Sequence, residues 1–351
     1  MQVNLIALCT EETNLEIYNN ICPLVQKKLN LCTVEVFSTT VFSDLYAIKQ
    51  HLSKCLATPC VIVGNFNNNI DINIVKKILQ DKFHTQPKMF DAGFFVGDNQ
   101  TNCLVVNCGK FNFYDYLCPE IICELYQIPK PIAFLKIFGL DKLNILQKLM
   151  HLPSFLELNY SVFVSNLDGE ISVAPKNPQQ IGVCQNALRE LYEQFNDYFY
   201  TDNERTMLQV LDEILTLRHI SISVADILTQ GAFEQFLREG LPNFEKHVVQ
   251  CHTLSTLEDV ATKLNVAPDF LATHQKDSVE LCYEMGASMM ENIQADLALV
   301  ISGSFKVPYL GIGDNQAIHV YKYNFDHSSS YITKIMCNQA IFKILKKLRE
   351  N

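Results

Sequence analysis

Short apolar runs alternate with stretches of helical period at the start of this chain, and that rhythm constrains the fold more than any other feature. Val3 to Leu8, Val34 to Phe37 and Cys60 to Val63 read as buried strands, and Leu15 to Leu29, Leu45 to Leu56 and Ile70 to Leu79 as helices. Strands joined by helices of this length run parallel, because each crossover helix covers a sheet face. A doubly wound sheet is the expected solution. Cys103 to Val106 adds another strand and Pro119 to Tyr126 another helix.

Ile128-Pro129-Lys130-Pro131 is a stiff segment, since each proline fixes φ and restricts the residue before it. Beyond it the pattern predicts a small α+β module: strand Ile132 to Phe138, helix Lys142 to Met150, then strands Tyr160 to Val164 and Glu170 to Val173 around the turn Asn166-Leu167-Asp168-Gly169. Ala174-Pro175-Lys176-Asn177-Pro178 closes the module, and a helix carrying Val183, Ala187, Leu188, Leu191 and Phe195 follows. An α/β rhythm resumes from Glu204, with a helix to Leu217, a strand Ile220 to Val224, a helix from Leu228, a strand near Val248 and a helix Leu257 to Leu264. Ser278, beside Asp277, is placed to cap a helix whose Val279, Cys282, Met285, Met289 and Ile293 form one apolar stripe. Strands Leu297 to Ile301 and Ala317 to Tyr323 and a final helix with Ile341, Ile344, Leu345 and Leu348 complete the chain. Lys343, Lys346, Lys347 and Arg349 crowd its last turns and read as a solvated face that complements the helix dipole.

At 351 residues the chain exceeds the usual size of one hydrophobic core, so two or three domains are expected. A net charge of -10 argues against nucleic acid as a partner, which would require clustered Lys and Arg. The first residues lack a basic leader, and no apolar run reaches the length of a membrane span. The 13 cysteines are scattered through apolar segments, which suits reduced thiols and a cytoplasmic location. Cys55 and Cys60, or Cys103 and Cys108, lie five apart without a matching pair, so no metal site is expected.

Leu264-Asn265-Val266-Ala267-Pro268-Asp269-Phe270-Leu271-Ala272-Thr273-His274, then Ser278-Val279-Glu280, then Ala295-Asp296-Leu297-Ala298-Leu299-Val300-Ile301-Ser302-Gly303 closely resemble the C-terminal domain of the CinA (competence/damage-inducible) family. That domain reads L-G-V-x-P-x-x-L-x-x-H-G-A-V-S, a helix, then A-D-x-x-x-x-x-T/S-G. At the other end, Leu5-Ile6-Ala7-Leu8-Cys9-Thr10-Glu11 resembles the family's opening strand and G-T-E turn, and Glu16-Ile17-Tyr18-Asn19-Asn20 is similar to its Q-I-V-N-T-N helix. The resemblance implies three parts: a molybdopterin-binding-like domain over residues 1–128, associated in the family with ADP-ribose pyrophosphatase activity; a KH-like linker module over 129–177; and a nicotinamide-mononucleotide deamidase-like domain over 178–351.

The residues that the resemblance assigns to chemistry are largely replaced. The family's A-E-S-x-T-G-G turn, which presents a serine nucleophile at a helix N-terminus, matches Ala225-Asp226-Ile227-Leu228-Thr229-Gln230-Gly231. Asp226, Thr229 and Gly231 fit, and Ile227 stands at the serine position. Isoleucine has no attacking atom, so deamidation by that route is expected to fail. The family's V-V-T-Y tyrosine falls at Cys251. A Cys251 thiolate with His252 as base is a poor pairing, because adjacent strand residues face opposite sides. Ser302-Gly303 survive from the later T/S-G pair, while the glycine-rich phosphate loop becomes Ser304-Phe305-Lys306-Val307, whose bulk would obstruct a phosphate cradle.

In the N-terminal domain the G-G-L-G-P-T-x-D-D loop aligns with Gly64-Asn65-Phe66-Asn67-Asn68-Asn69-Ile70-Asp71-Ile72, and P-G-V-P-S-E with Cys108-Gly109-Lys110-Phe111-Asn112-Phe113. Glu11, Gly64, Asp71 and Gly109 are what remains of that pocket. The expectation is a CinA-like protein of degenerate catalysis that needs no cofactor, with a nicotinamide- or ADP-ribose-like nucleotide or a second copy of the chain, as a homodimer, as compatible partners. Two alternatives stand beside it: an active nicotinamide-nucleotide amidohydrolase using a displaced nucleophile (Thr229, Ser302 or Cys251), and a structural or assembly protein.

Overall fold

The computed structural model describes residues 2–9, 17–42, 47, 49–51, 58–66, 72–97, 101–110, 113, 117–274, 277–325 and 329–350. Most of the expected helix Leu45 to Leu56 lies outside them. The chain divides into two compact units, one of Met1–Leu135, Asp141–Val164 and Gly169–Asp197, the other of Lys136–Leu140, Ser165–Asp168 and Tyr198–Asn351.

The first unit opens with β1 (Gln2–Leu8), a π-helical turn (Ile17–Ile21), α1 (Cys22–Leu31), β2 (Glu35–Phe42), β3 (Cys60–Gly64) and α2 (Ile72–Phe83). β4 (Lys88–Phe90), β5 (Gly93–Gly97), β6 (Asn102–Asn107) and α3 (Pro119–Tyr126) follow. These strands form one six-stranded sheet of order β2-β1-β3-β6-β5-β4. β1, β2, β3 and β6 are parallel as expected, but β4 and β5 add an antiparallel hairpin at one edge, so the sheet is mixed. The correction has a simple cause: only Asp91 and Ala92 separate β4 from β5, far too few residues for a crossover.

Both faces of this sheet are covered. Leu5 and Ala7 of β1 join a core with Val25 and Leu29 of α1 and Ile122 of α3, while Ile6 and Leu8 turn to the opposite core with Val75 and Leu79 of α2. Burial on both sides is why β1 reads as an unbroken apolar run.

The first unit continues through the start of β7 (Ala133–Phe138), α4 (Lys142–Met150), most of β8 (Leu158–Ser165) and β9 (Asp168–Pro175), and α5 (Ile181–Phe195). Asp141 caps α4, its carboxylate accepting from Asn144 N at 2.8 Å. Asn166 and Leu167 both have positive φ, 51° and 63°, the conformation of a tight hairpin turn.

In the second unit β10 (Phe199–Thr201) pairs antiparallel with the end of β7. There the Lys136 side chain is buried, and its Nζ donates to the carbonyls of Glu204 at 2.7 Å and Arg205 at 2.9 Å. α6 (Met207–Arg218), β11 (Ile222–Asp226), α7 (Ala232–Gly240), α8 (Phe244–His247) and β12 (Val248–Thr253) lead to α9 (Leu257–Leu264), α10 (Pro268–Thr273) and α11 (Val279–Asn292). β13 (Leu297–Gly303), β14 (Pro308–Gly313), β15 (Ile318–Lys322) and α12 (Ser329–Glu350) complete it. Thr206 and Thr256 begin α6 and α9 with capping boxes, and the Ser278 hydroxyl caps α11 by accepting from Leu281 N at 3.1 Å.

The sheet order is β12-β11-β13-β14-β15, parallel over the first three strands and antiparallel beyond. α6, α7 and α12 pack with one core and α9 and α11 with the other. In the expected α11 stripe, Cys282, Met285 and Met289 are buried, but Val279 is 40% exposed at the first helical position and Leu281 is buried instead. β14 has no counterpart in the sequence reading. α11 lies close to the antiparallel strands because both sides carry glycine: a Cβ on Gly311 would sit 3.0 Å from Cys282 Sγ, and one on Gly286 3.2 Å from Ile318 Cγ2.

Candidate functional site

β11 ends at the point where its two crossovers diverge, one leading through α7 to β12 and the other strand neighbour, β13, arriving by way of α11. The carboxyl end of a strand at such a point is where open α/β sheets hold ligands. The turn here, from Ala225 to Gly231, is organised by one side chain. Asp226 is 1% exposed. Its Oδ1 accepts from Leu228 N at 3.1 Å and Thr229 N at 2.7 Å, and its Oδ2 accepts from the Thr229 hydroxyl and from Gly231 N at 3.2 Å. Thr229 Oγ1 in turn accepts from Phe233 N at 3.0 Å. The helix expected from Leu228 therefore begins only at Ala232, because residues 227–231 are folded around the carboxylate and Gly231 takes φ 91°.

Ile227 points away from this network. It is 3% exposed and packs among Ala225, Leu254, Val260, Met285 and Val300. Its backbone N–H donates to Ile301 O at 3.0 Å, joining the turn to β13. The position that the resemblance gives to a nucleophile is thus a core position.

Asp226 is level with Thr253 of β12 and Ile301 of β13. Cys251 lies opposite Val224, deeper in the sheet, and packs against the core that α7 and α12 share. Burial first, then the charges of Glu234 and Asp226, push the Cys251 thiol up to about 12, and Arg238 offsets them in part. Asp226 likewise adds to the burial that pushes Cys337 of α12 up to about 12. His252 Nε2 lies 3.0 Å from Gln250 Oε1, and burial and the Lys263 charge lower its pKa.

Ser302 is fully buried, its hydroxyl beside the Cys282 thiol, which burial pushes up to about 12 against the pull of that hydroxyl. Gly303 has φ 91°, and a Cβ there would meet Val307 O at 2.4 Å. The segment 304–307 is the tight turn between β13 and β14: Ser304 N donates to Val307 O at 3.2 Å and Val307 N to Ser304 O at 3.1 Å. Those two amides are committed to the turn. Asp226, Thr229 and Gly231 are brought together, Ser302 and Gly303 sit on the neighbouring strand end, and Cys251 lies two residues lower on the other side.

In the first unit Gly64 and Gly109 meet at the carboxyl ends of β3 and β6, where Asn107 Oδ1 accepts from Phe66 N at 3.2 Å and Gly109 N at 3.0 Å. Gly64 is required by close approach to β1, since a Cβ would lie 2.9 Å from Leu8 Cβ. Glu11 and Asp71 lie outside the described residues. Among the described residues, no group of three His, Cys, Asp or Glu side chains is placed to hold a metal ion, and no helix is long and apolar enough to cross a membrane.

Two features escaped the sequence reading. His247, buried below α6, has its Nε2 3.0 Å from Thr216 Oγ1 and 3.6 Å from Asp212 Oδ1, while Asp212 also accepts from Asn243 N and Nδ2 at 2.9 and 2.8 Å. In the first unit a cavity of about 540 Å³ opens at the amino ends of β1 and β2, lined by Asn30, Thr33, Lys142, Tyr160, Ser161 and Lys176 among others. Both depend on residues far apart in the chain, and no local pattern announces them.

No family model and no curated protein matches the sequence. Solved structures do match part of it. The competence or damage-inducible protein from Enterobacter asburiae is 17% identical, the match covering 40% of this chain and 96% of that one with a TM-score of 0.38. The competence damage-inducible protein A (ComA) from Klebsiella pneumoniae gives 16%, 41%, 95% and 0.39, and the competence-damaged protein (CinA) superfamily protein from Enterobacter cloacae 19%, 42%, 96% and 0.38.

Proposed function

We propose that this chain is a CinA-type protein in which the architecture of a nicotinamide-nucleotide amidohydrolase and an ADP-ribose pyrophosphatase persists without their chemistry. In this reading residues 1–128, 129–177 and 178–351 correspond to the family's three parts, and the protein works in the cytoplasm by binding a ligand or partner. The observation that carries it is Ile227, an aliphatic side chain packed into the core where the resemblance requires an attacking oxygen. An amide hydrolase without a nucleophile loses several orders of magnitude of rate.

The candidates for a displaced nucleophile are each hydrogen-bonded, buried or held as the neutral thiol. The Thr229 hydroxyl donates to Asp226 and accepts from Phe233 N. Ser302 is fully buried, and the Cys251 thiol is held near 12, so its thiolate is a trace species at neutral pH. The test is ammonia release from nicotinamide mononucleotide by the wild-type chain and by Ile227→Ser. No turnover by the wild type is expected, and robust wild-type turnover overturns the reading. A thermal-shift screen with nicotinamide mononucleotide, ADP-ribose and molybdopterin precursors then finds the ligand, since a molecule that binds the native state raises its melting temperature.

A further inference from the structure

Residues 158–162 of β8 all line the cavity of about 540 Å³ in the first unit. Successive strand side chains point to opposite faces, so a space that touches every one of them runs along the edge of the strand. β8 is the last strand of its sheet and has only β9 beside it. Its outer backbone N–H and C=O groups therefore face the cavity, and the half-buried Asn159 adds a side-chain amide. Phe155 and Tyr160 form an aromatic wall, their rings stacked with centroids 5.7 Å apart. The Tyr160 hydroxyl lies 2.6 Å from Ser154 Oγ, which donates to Glu190 Oε2 at 2.7 Å, and this chain of hydrogen bonds fixes the Tyr160 ring. Ile128 and Leu146 supply apolar surface.

The charged groups of the lining stand at its mouth and have partners there. Glu35 accepts from Gln2 Nε2 at 3.3 Å and meets Lys142 Nζ at 3.7 Å, with the Lys142 and Glu35 side chains 53% and 55% exposed. Lys176, also exposed, donates from Nζ to Leu156 O at 2.6 Å. The half-buried polar side chains are neutral: Asn30 Oδ1 accepts from the Ser161 hydroxyl at 3.3 Å, and Asn159 and Tyr160 stand beside them.

We infer that this cavity binds a neutral nucleoside, held by its base. Donors and acceptors alternate along a strand edge as they do along the edge of a base, and a carboxamide such as that of Asn159 pairs with a base edge through both its atoms. The aromatic wall offers a surface on which the face of a base stacks. The volume falls within the roughly 300 to 1,000 Å³ of pockets for small molecules. An extended peptide is the other ligand of a strand edge, but it lies along an open edge, whereas a concavity favours a compact ring. The cavity opens at the amino ends of β1 and β2, while Gly64 and Gly109 lie at the carboxyl ends of β3 and β6, which run parallel to them. It is therefore at the opposite rim of the sheet from the pocket that the resemblance implies.

The test titrates the full chain with adenosine, inosine, cytidine and uridine by calorimetry, with inorganic phosphate and tetra-alanine as comparison ligands. Saturable binding of at least one nucleoside, half-complete by about 1 mM, is expected. The chain has no tryptophan, so Phe155→Trp places a single fluorescent reporter in the cavity wall, and the same nucleoside should quench it. Leu143→Trp, at an exposed position of α4 outside the cavity, should not respond. Asn159→Leu should weaken binding about tenfold while the far-UV spectrum is kept. Should that variant fail to fold, the wild-type titration and the Phe155→Trp reporter decide.

The inference is overturned if no nucleoside binds by about 1 mM, if the Phe155→Trp reporter is silent while a nucleoside binds, if folded Asn159→Leu binds as the wild type does, or if phosphate or tetra-alanine displaces the nucleoside. The titration reads binding without turnover and its reporter lies in the first unit, so this result stands apart from the ammonia assay.

Discussion

The Asp226 carboxylate accepts from Thr229 twice, once from its hydroxyl and once from its backbone N–H at 2.7 Å, so strand β11 and helix α7 are joined through a single buried acid. Removing that acid strands four donors in a place water does not reach. Asp226→Ala should lower unfolding free energy by about 3 kcal/mol or more. Asp226→Asn should cost about 2 kcal/mol, because its amide group turns a donor toward the Thr229 hydroxyl and Gly231 N–H. Urea denaturation measures both, and a change below about 0.5 kcal/mol in either variant would contradict the role given to this carboxylate.

Cys251 should be slow to alkylate. Its thiol is held near 12 by burial and by two neighbouring carboxylates, and alkylation proceeds through the thiolate. The expected profile with iodoacetamide rises about tenfold per pH unit between pH 8 and 11, with no plateau near pH 9. Site-resolved mass spectrometry of the labelled peptide gives the answer. Rapid labelling at pH 7.5 is the contrary outcome.

His247 gives the fold an acid sensitivity with a definite sign. Burial, the larger cause, and Lys246 hold its pKa below the ordinary 6.5, and Asp212 offsets them only in part. Between the folded and unfolded pKa values the unfolded chain binds more protons, so stability is fully present above pH 6.5 and is lost as pH falls toward the folded value. His247→Gln should flatten the stability-against-pH curve just below pH 6.5, although the variant is less stable at pH 7.5. Parallel slopes for the two proteins would remove His247 as the cause.

Two glycine substitutions should differ in sign. Gly303→Ala places a Cβ 2.4 Å from Val307 O on a residue with φ 91°, and a loss of about 2 to 3 kcal/mol is expected. Gly182→Ala, in α5, meets nothing within 4 Å, and alanine is the better helix former by about 1 kcal/mol. Melting temperature should fall in the first variant and hold or rise in the second.

The helices were legible wherever their end signals are local. Pro119 opens α3, Asp141 caps α4 and Thr256 begins α9, and all three elements have the bounds that the sequence predicts. The antiparallel strands β4, β5, β10 and β14 were not legible, whereas β15 falls within the strand expected over Ala317 to Tyr323. Pro308, Gly311 and Gly313 remove the β-branched signature from β14, and its glycines answer to a helix that the local sequence does not contain. At the candidate site the replacement of a nucleophile by Ile227 is visible in one letter. The fourfold engagement of Asp226 is not, although an acid followed by Thr229 and Gly231 is the pattern of a side chain that folds its own turn. The buried meeting of Asp212, Asn243 and His247 joins α6 to the short helix α8 and the residue that precedes it, and has no signature within either helix.

The reversal of direction at the end of β13 has a consequence for traffic at that rim of the sheet. A strand that doubles back within four residues fills the space above its own tip, as the reciprocal hydrogen bonds of Ser304 and Val307 require. On the β12 side of Asp226 the rim carries Thr253, half-buried and level with the acid, and the exposed Gln230. Evolution of a new specificity in this unit would therefore have its material in the side chains of Gln230 and Thr253, which are not among the donors that Asp226 holds.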